Sequence, residues 1–552
     1  MKQSREIQSQ RQSDFKKGID AEDARRRRDD NQYSIRKNKR EEKLMKRRHQ
    51  KDSHIIVKDK DETPRVKTIM KFTVKGDGSL ENDLENELYD LLYNNNPTEI
   101  IENTQKLNSN SFDSIIEGAI FFRTASSRNN PPINEMAQAN IIPTLVRLST
   151  FIKYPDLQYE TLWTLSNIAS GDSKYTQLVA TKENVDIFIR LLESPEVKVR
   201  DHAMLVLGNI AGDSSKSRKM MMELHPNLIE IIIKNIKFAP KALYAQNAIW
   251  LLSNLNREKP HFSYSEIPEK IIPVLSALLN FPRDQLNSDL LAEIFWLIYY
   301  LTNRNDSEKI INNLMKNGII SKVIALTYSD KTLAVESPAI KILGNVAYNG
   351  EEQTQNLIDG RIFMLFPQLL RSKSKLVRKE SFYTLSNIAA GTKSQQDAII
   401  DFNNNQLITE IIFTMNDDKA WDVKKEAAYV IYNLVTRNDR KYIKLLLRNF
   451  IVSPVVNLLD TVSVDTIMVS LKILKQLLKS EKNIKNGYVS SLIEDSGGLD
   501  KIEMLQNHDN EEIYELSLDI IDTYFSDDDE FSLAPPLLDQ WESHHTKTQF
   551  DF

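Results

Sequence analysis

The sequence predicts an all-α fold, a solenoid of stacked helical repeats. Three observations carry this. The stretch TLWTLSNIASG at 161–171 has echoes along the chain at a nearly constant spacing. The composition suits helices, with 15 Gly and 18 Pro in 552 residues. That length is too great for one compact core, whereas a solenoid grows by adding units that touch only their neighbours.

The first stretch reads as a helix. At about 100° of turn per residue, Leu162, Leu165, Ile168 and Ala169 gather on one side, and Trp163 and Asn167 on the other. An apolar stripe wants a core, so the ring and the amide are expected to face away from it. The pair recurs. LVLGNIAGDS carries Asn209, IWLLSNLNR carries Trp250 and Asn254, and FWLIYYLTN carries Trp296 and Tyr300. KILGNVAYNG carries Lys341 and Asn345, FYTLSNIAAG carries Tyr383 and Asn387, and YVIYNLVTR carries Tyr429 and Asn433. Positions 167, 209, 254, 300, 345, 387 and 433 are separated by 42, 45, 46, 45, 42 and 46 residues. A period in this range belongs to armadillo or HEAT repeats.

Composition narrows the chemistry. There is no Cys, so disulfides, Cys-zinc sites and Cys nucleophiles are excluded, in keeping with a reducing compartment. No apolar run reaches the roughly 18 residues of a membrane span, and MKQSREIQSQ at the start has no apolar h-region. No Gly-rich phosphate loop, GxSxG or HExxH occurs. The reading is therefore not an enzyme, with no cofactor and no metal. Charge is uneven. Residues 15–51 hold 15 Lys/Arg against 7 Asp/Glu, while the chain as a whole carries -5. A basic arm on an acidic body signals a partner, or an association of arm with body.

In chain order, residues 1–14 are polar and expected to be disordered. Residues 15–51 have opposite charges at helical spacing (Lys37 with Glu41, Glu42 with Lys46) but little apolar content. They are expected to become helical only against an acidic partner. Binding of nucleic acid through Arg25, Arg26, Arg27 and Arg28 is the competing reading of the arm. Residues 52–83 read as a linker, and helices dominate from about Leu84. Pro143, Pro226, Pro273, Pro367 and Pro454 mark first turns of helices. The region Glu117–Arg128 lacks the ladder, with Phe121, Phe122 and Arg123 in its place, and so does Val464–Tyr524. Atypical end repeats are expected as caps. From Ser526 the chain is acidic and irregular, and the adjacent His544 and His545 there are read as no metal site.

Stacked repeats place equivalent helices side by side. The Asn amides then form a row that suits the main chain of an extended peptide. Trp rings form parallel walls whose slots take long aliphatic stems, and a cation over a Trp face gains about 0.5–2 kcal/mol. Acids at matched offsets can meet the charged ends: Asp213, Glu293, Glu380 and Glu426. Thr176 and Thr354 each lie nine residues after a ladder Asn. The expected ligand is an extended, Lys/Arg-rich peptide.

WTLSNIASG, LGNIAGDSS, WLLSNL, LAEIFWLIYYLT, KESFYTLSNI and SGGLDKIEMLQNHDNEEIY closely resemble importin-α, the armadillo-repeat adaptor of nuclear import, over about residues 15–525. The resemblance implies a right-handed superhelical armadillo solenoid of about ten repeats. It implies an importin-β-binding domain at 1–60, a linker at 61–83, repeats at 84–525 and an acidic tail at 526–552. In the arm, Arg25, Arg26, Arg27, Arg28, Arg36, Lys37, Lys39 and Arg40 would serve importin-β. Lys46, Arg47 and Arg48 resemble the internal mimic of a nuclear localisation signal (NLS), which lies in the cargo groove when importin-β is absent. The implied major cargo site is Trp163, Asn167, Gly171, Thr176, Asn209, Asp213, Trp250, Asn254, Glu293 and Trp296, with Asp213, Gly171 and Thr176 holding the critical Lys. The implied minor site is Lys341, Asn345, Thr354, Glu380, Tyr383, Asn387, Glu426, Tyr429 and Asn433. Implied partners are NLS-bearing cargo, importin-β, the export receptor with RanGTP, and nucleoporins, with no membrane and no direct nucleic acid. The protein would shuttle between cytoplasm and nucleus.

Two departures are written into the ladder. Leu205 stands where the family has a Trp, and Tyr383 and Tyr429 replace the two Trp of the minor site. One slot of the major site is therefore expected to be weaker, and a bipartite cargo to gain less from its second cluster. The rival reading is an armadillo scaffold of the β-catenin or vacuolar type, in adhesion or signalling. The acids aligned with the ladder argue against the basic groove such a scaffold uses for acidic ligands.

Overall fold

The computed structural model describes residues 97–128, 130–239, 242–257, 268–282, 286–304, 307–480 and 487–525. The arm, the linker and the acidic tail expected from the sequence lie outside them, as do all the arm residues named above. Among the described residues there is no strand. Helices follow one another in threes, a short first, a second, and a long third. Two compact units divide between Glu410 and Ile411.

In the first unit the third helices are α1 (Phe112–Ser126), α2 (Pro155–Ala169), α3 (Val197–Asp213), α4 (Gln246–Asn256), α5 (Ser288–Thr302), α6 (Leu333–Asn349) and α7 (Lys375–Ala389). Each packs on the next. In the second unit they are α8 (Trp421–Val435), α9 (Val464–Lys479) and α10 (Glu511–Tyr524), again each against the next. The repeating unit is thus the armadillo triple. Among the described residues no single helix is long and apolar enough to cross a membrane.

The triples follow from local chemistry. α2 opens on Pro155, whose fixed φ and missing N–H suit a first turn, with Asp156 beside it at the positive end of the helix dipole. Asn287 and Ser374 cap α5 and α7 by accepting the backbone N–H groups of Leu290 and Val377. Thr392 and Gln395 form a reciprocal capping box at the start of Lys393–Asp401. The stripe Leu162, Leu165, Ile168 and Ala169 is fully buried, as the helical reading requires.

Pro143, Pro367 and Pro454 lie in the first turns of helices Ile141–Ser149, Phe366–Leu369 and Val452–Asn457, and Pro226 stands two residues before Leu228–Lys237. Pro273 does not fit the expectation. It sits inside Pro268–Leu278, because the helix already begins at Pro268. Pro273 then removes one intrahelical hydrogen bond just beyond the first turn, where the loss is smallest.

The turn between first and second helices carries a signal the sequence hides. Asn140, Gly318, Arg361, Asn405, Phe450 and Gly497 all have positive φ, between 52° and 69°. Each reverses the chain in the left-handed region. Gly and Asn occupy it readily, but Phe450, at φ 59° and 81% exposed, is a bulky residue there.

Candidate functional site

The ladder residues stand in register on successive third helices, but they are less open than the helical reading expects. Trp163, Asn167, Asn209, Trp250 and Asn254 are buried. The reason lies in the amides. Asn209 Nδ2 donates to the Ser166 carbonyl (2.9 Å), and Asn254 Nδ2 donates to the Gly208 carbonyl (2.9 Å). Asn167 Nδ2 donates to the hydroxyls of Ser126 and Ser127 (3.1 Å each), and Asn345 Nδ2 to Thr302 Oγ1 (3.1 Å). Each amide is therefore a tie to the preceding repeat before it is a contact for anything else. Asn387 breaks the series: its Nδ2 is buried with no acceptor among the described residues.

The rings are seated the same way. Residue 208, one before Asn209, must be Gly, because a Cβ there would fall 2.1 Å from Cζ3 of Trp250. Gly344, one before Asn345, faces Tyr383 more loosely, at 3.4 Å from the ring. In these two repeats the glycine before the Asn makes room for the ring of the next repeat. The same slot holds Ser166 before Asn167, Ser253 before Asn254 and Ser386 before Asn387.

Acids and hydroxyls knit neighbouring repeats at the predicted major site. Asp213 ends α3 and reaches back to the helix Ser173–Val179, accepting from Ser173 Oγ (3.0 Å) and Gln177 Nε2 (2.6 Å). Thr176 on that short helix donates to the Ala169 carbonyl (2.9 Å), while Gly171 N–H bonds back to Ile168 (3.1 Å). Thr354 repeats the arrangement by donating to Ala347 (3.1 Å) and Gly350 (2.7 Å). Arg218 and Gln396, at the same offset from Asn209 and Asn387, also donate to the second residue after their Asn, Ala211 and Ala389. The Thr spacing is thus first of all a clamp on the C-terminal end of the third helix.

The remaining predicted residues divide by unit. Glu293 is buried on α5 and Trp296 half-buried there, stacked with Tyr300 at a centroid distance of 6.0 Å. Lys341, Asn345, Glu380, Tyr383 and Asn387 lie on α6 and α7. Lys341 Nζ pairs with Glu380 (3.1 Å) and lies 5.5 Å from the Tyr299 ring. Glu380, expected to meet a ligand cation, already meets one belonging to the chain. Glu426, Tyr429 and Asn433 lie on α8 in the second unit, the first two buried.

Sequence reading passed over several groups around Trp163. Arg123 on α1 places its guanidinium 5.0 Å from the Trp163 ring and its Nε on the Glu160 carboxylate. Burial raises the Glu160 carboxyl above the usual range, and Arg123 partly offsets this. His202 meets Trp163 at 5.4 Å and Tyr159 at 4.5 Å. Leu205 itself is buried, so the imidazole three residues before it is the ring that Trp163 meets on α3. The offset that singled out Glu293, Glu380 and Glu426 also picks Glu160, three before Trp163.

Comparison with known proteins agrees with this architecture. Residues 11–119 match the family described as importin beta binding domain, 129–170 an armadillo/beta-catenin-like repeat, and 488–537 an atypical Arm repeat. The chain is 31% identical over 534 residues to importin subunit alpha-1a of Oryza sativa subsp. japonica, covering 95% of this chain and 93% of that one. It is 31% identical over 530 residues to importin subunit alpha-3 of Arabidopsis thaliana, covering 94% and 92%. Among solved structures, an engineered protein superposes with a TM-score of 0.65 at 20% identity, over 77% of this chain and 99% of that one. A chain from a study of the interaction between cadherin and beta-catenin gives 0.59 at 13% identity, over 77% and 82%. These two likenesses concern the fold.

Proposed function

Since the chain belongs to the importin-α family and is a nuclear import adaptor with an importin-β-binding domain, we propose that it carries cargo on the ladder residues of α2–α7 in the first unit and of α8 in the second. Its major site comprises Trp163, Asn167, Gly171, Thr176, Asn209, Asp213, Trp250, Asn254, Glu293 and Trp296. Its minor site comprises Lys341, Asn345, Thr354, Glu380, Tyr383, Asn387, Glu426, Tyr429 and Asn433. The observation that carries the reading is Asp213, an acid joined across a repeat boundary to the short helix bearing Thr176. A carboxylate at that boundary suits the charged end of a lysine. Asn387, with a buried N–H group and no acceptor among the described residues, supports the second site, because an orphaned donor suits a peptide carbonyl.

The mechanism is binding alone. Rings hold the aliphatic stems of Lys and Arg, carboxylates meet their ends, and amides meet the peptide main chain. Arg25–Arg28, Arg36, Lys37, Lys39 and Arg40 serve importin-β within a domain at 1–60, which a linker at 61–83 joins to the repeats at 84–525 and the acidic tail at 526–552. Lys46, Arg47 and Arg48 compete for the groove until importin-β takes the arm. The export receptor with RanGTP returns the adaptor to the cytoplasm, and nucleoporins are met on the way.

Anisotropy of a fluorescent Lys/Arg-rich NLS peptide tests this, with the full chain and with Lys46, Arg47 and Arg48 all changed to Ala. Tighter binding by the substituted chain is expected. Equal binding keeps the adaptor and discards the internal mimic. No binding by either overturns the groove reading and brings the scaffold reading forward.

A further inference from the structure

Arg123 stands on α1 at the register position that Trp163, Trp250 and Trp296 hold on their own helices, four residues before the end of the ladder step. The residue four after it, Ser127, accepts from Asn167 Nδ2 (3.1 Å). The place of a ring is thus taken by a cation. Its guanidinium lies 5.0 Å from the Trp163 centroid, within the range of a cation–π contact, and it is ion-paired to Glu160 on the same helix as that ring. Only a quarter of the Arg123 side chain is exposed (25%). From the following repeat His202 meets the same ring at 5.4 Å.

Resting on the groove reading above, we propose that Arg123 is a resident cation that ends the major site at Trp163 and so determines which peptides fit there. A cargo lysine reaching past Trp163 towards α1 must displace Arg123 from both the ring and Glu160. It also brings like charge against the guanidinium as it does so. The site therefore selects a basic cluster that ends at Trp163, followed by a neutral or acidic side chain. Glu160 has no spare charge to recruit another cation while Arg123 holds it. Arg123 acts here as a specificity-determining residue, through a contact it makes with a groove wall.

The test compares peptides that share one basic cluster and carry Lys, Ala or Glu added at the N-terminal or the C-terminal end. Binding to the full chain and to Arg123→Ala is read by anisotropy. In the wild type, Lys at the end that lies over Trp163 gives no gain over Ala. In Arg123→Ala the Lys peptide binds roughly three- to tenfold tighter than the Ala peptide at that end alone. Arg123→Ala leaves Glu160 without its partner, so Arg123→Ala with Glu160→Gln is measured beside it. This pair leaves no lone buried carboxylate and is expected to retain at least about a twofold gain from the ring. A wild type that already gains from Lys at both ends overturns the proposal. So does a Lys-to-Ala ratio that is the same in all three proteins. In either case binding of the common cluster leaves the groove reading standing. If no basic peptide binds any of the proteins, that reading falls and this one with it.

Discussion

Trp250 occupies the space that a side chain on Gly208 would need, with Cζ3 2.1 Å from where a Cβ would stand. The ring of one repeat is seated on the backbone of the one before it. Gly208→Ala must therefore move Trp250. A loss of about 1–3 kcal/mol in stability is expected, the range for overpacking a close-packed site, with weaker NLS-peptide binding. Gly344→Ala meets Tyr383 at 3.4 Å and Thr384 Oγ1 at 3.1 Å, so it should be tolerated far better. Thermal melts of the two variants, together with peptide titrations, check the contrast.

Asn254 ties α4 to α3 through the Gly208 carbonyl. Asn254→Ala removes that bond across the repeat boundary, the Gly208 carbonyl keeping its place in the α3 helix, and should cost about 0.5–1.5 kcal/mol. Asn254→Asp places a carboxylate against a carbonyl and should cost more. If the ladder amides served the ligand alone, both variants would melt like the wild type. Chemical denaturation distinguishes these outcomes.

Asp201 on α3 accepts from Asn247 Nδ2 at 3.0 Å. Burial pushes its carboxyl up to about 7, with the Asn247 bond opposing the shift. A folded-state value above the unfolded one means that the folded chain holds the proton longer. Stability from this group is complete below about pH 4 and is lost as pH rises through about 7. Asp201→Asn keeps an acceptor for Asn247 and removes the ionisation. It should stabilise the protein by about 1–3 kcal/mol at pH 8 and by much less at pH 5. Melting curves at the two pH values check this; an equal effect at both refutes it.

Leu205 offers no ring face at the ladder position that Trp163 and Trp250 hold on the neighbouring third helices. Leu205→Trp should tighten a single basic cluster about two- to tenfold, while lowering the melting temperature because the site is already filled. Unchanged affinity would show that His202, already against Trp163, supplies what the missing ring would.

Tyr383 and Tyr429 give smaller walls than Trp. The gain from adding an upstream basic cluster to a cargo peptide should be slight in the wild type and larger with Tyr383→Trp and Tyr429→Trp together. Peptide pairs with and without that cluster measure it. A large gain in the wild type would sink the expectation.

The fold was legible because solenoid order is local. The spacing of Asn167, Asn209, Asn254, Asn345, Asn387 and Asn433 reports the repeat length, and each helix carries its own apolar stripe and caps. The ladder was legible for the same reason. Its partners were not. Nothing within one repeat says that Asn254 will reach Gly208, that Glu380 will meet Lys341, or that Arg123 will lie over Trp163. The left-handed turn at Phe450 was hidden too, because the usual signal, Gly or Asn, is absent there.

By itself the sequence determined the repeat, its period, the third helix that bears the ladder, and the family. Those depend on residues close along the chain, where helix geometry alone sets which side chains share a face. Only the tertiary structure decided what each ladder group already holds. Residues some 40 apart meet when one repeat stacks on the next, and the closeness of that stacking turns amides into ties, a glycine into a seat for Trp250, and Arg123 into an occupant of the Trp163 wall.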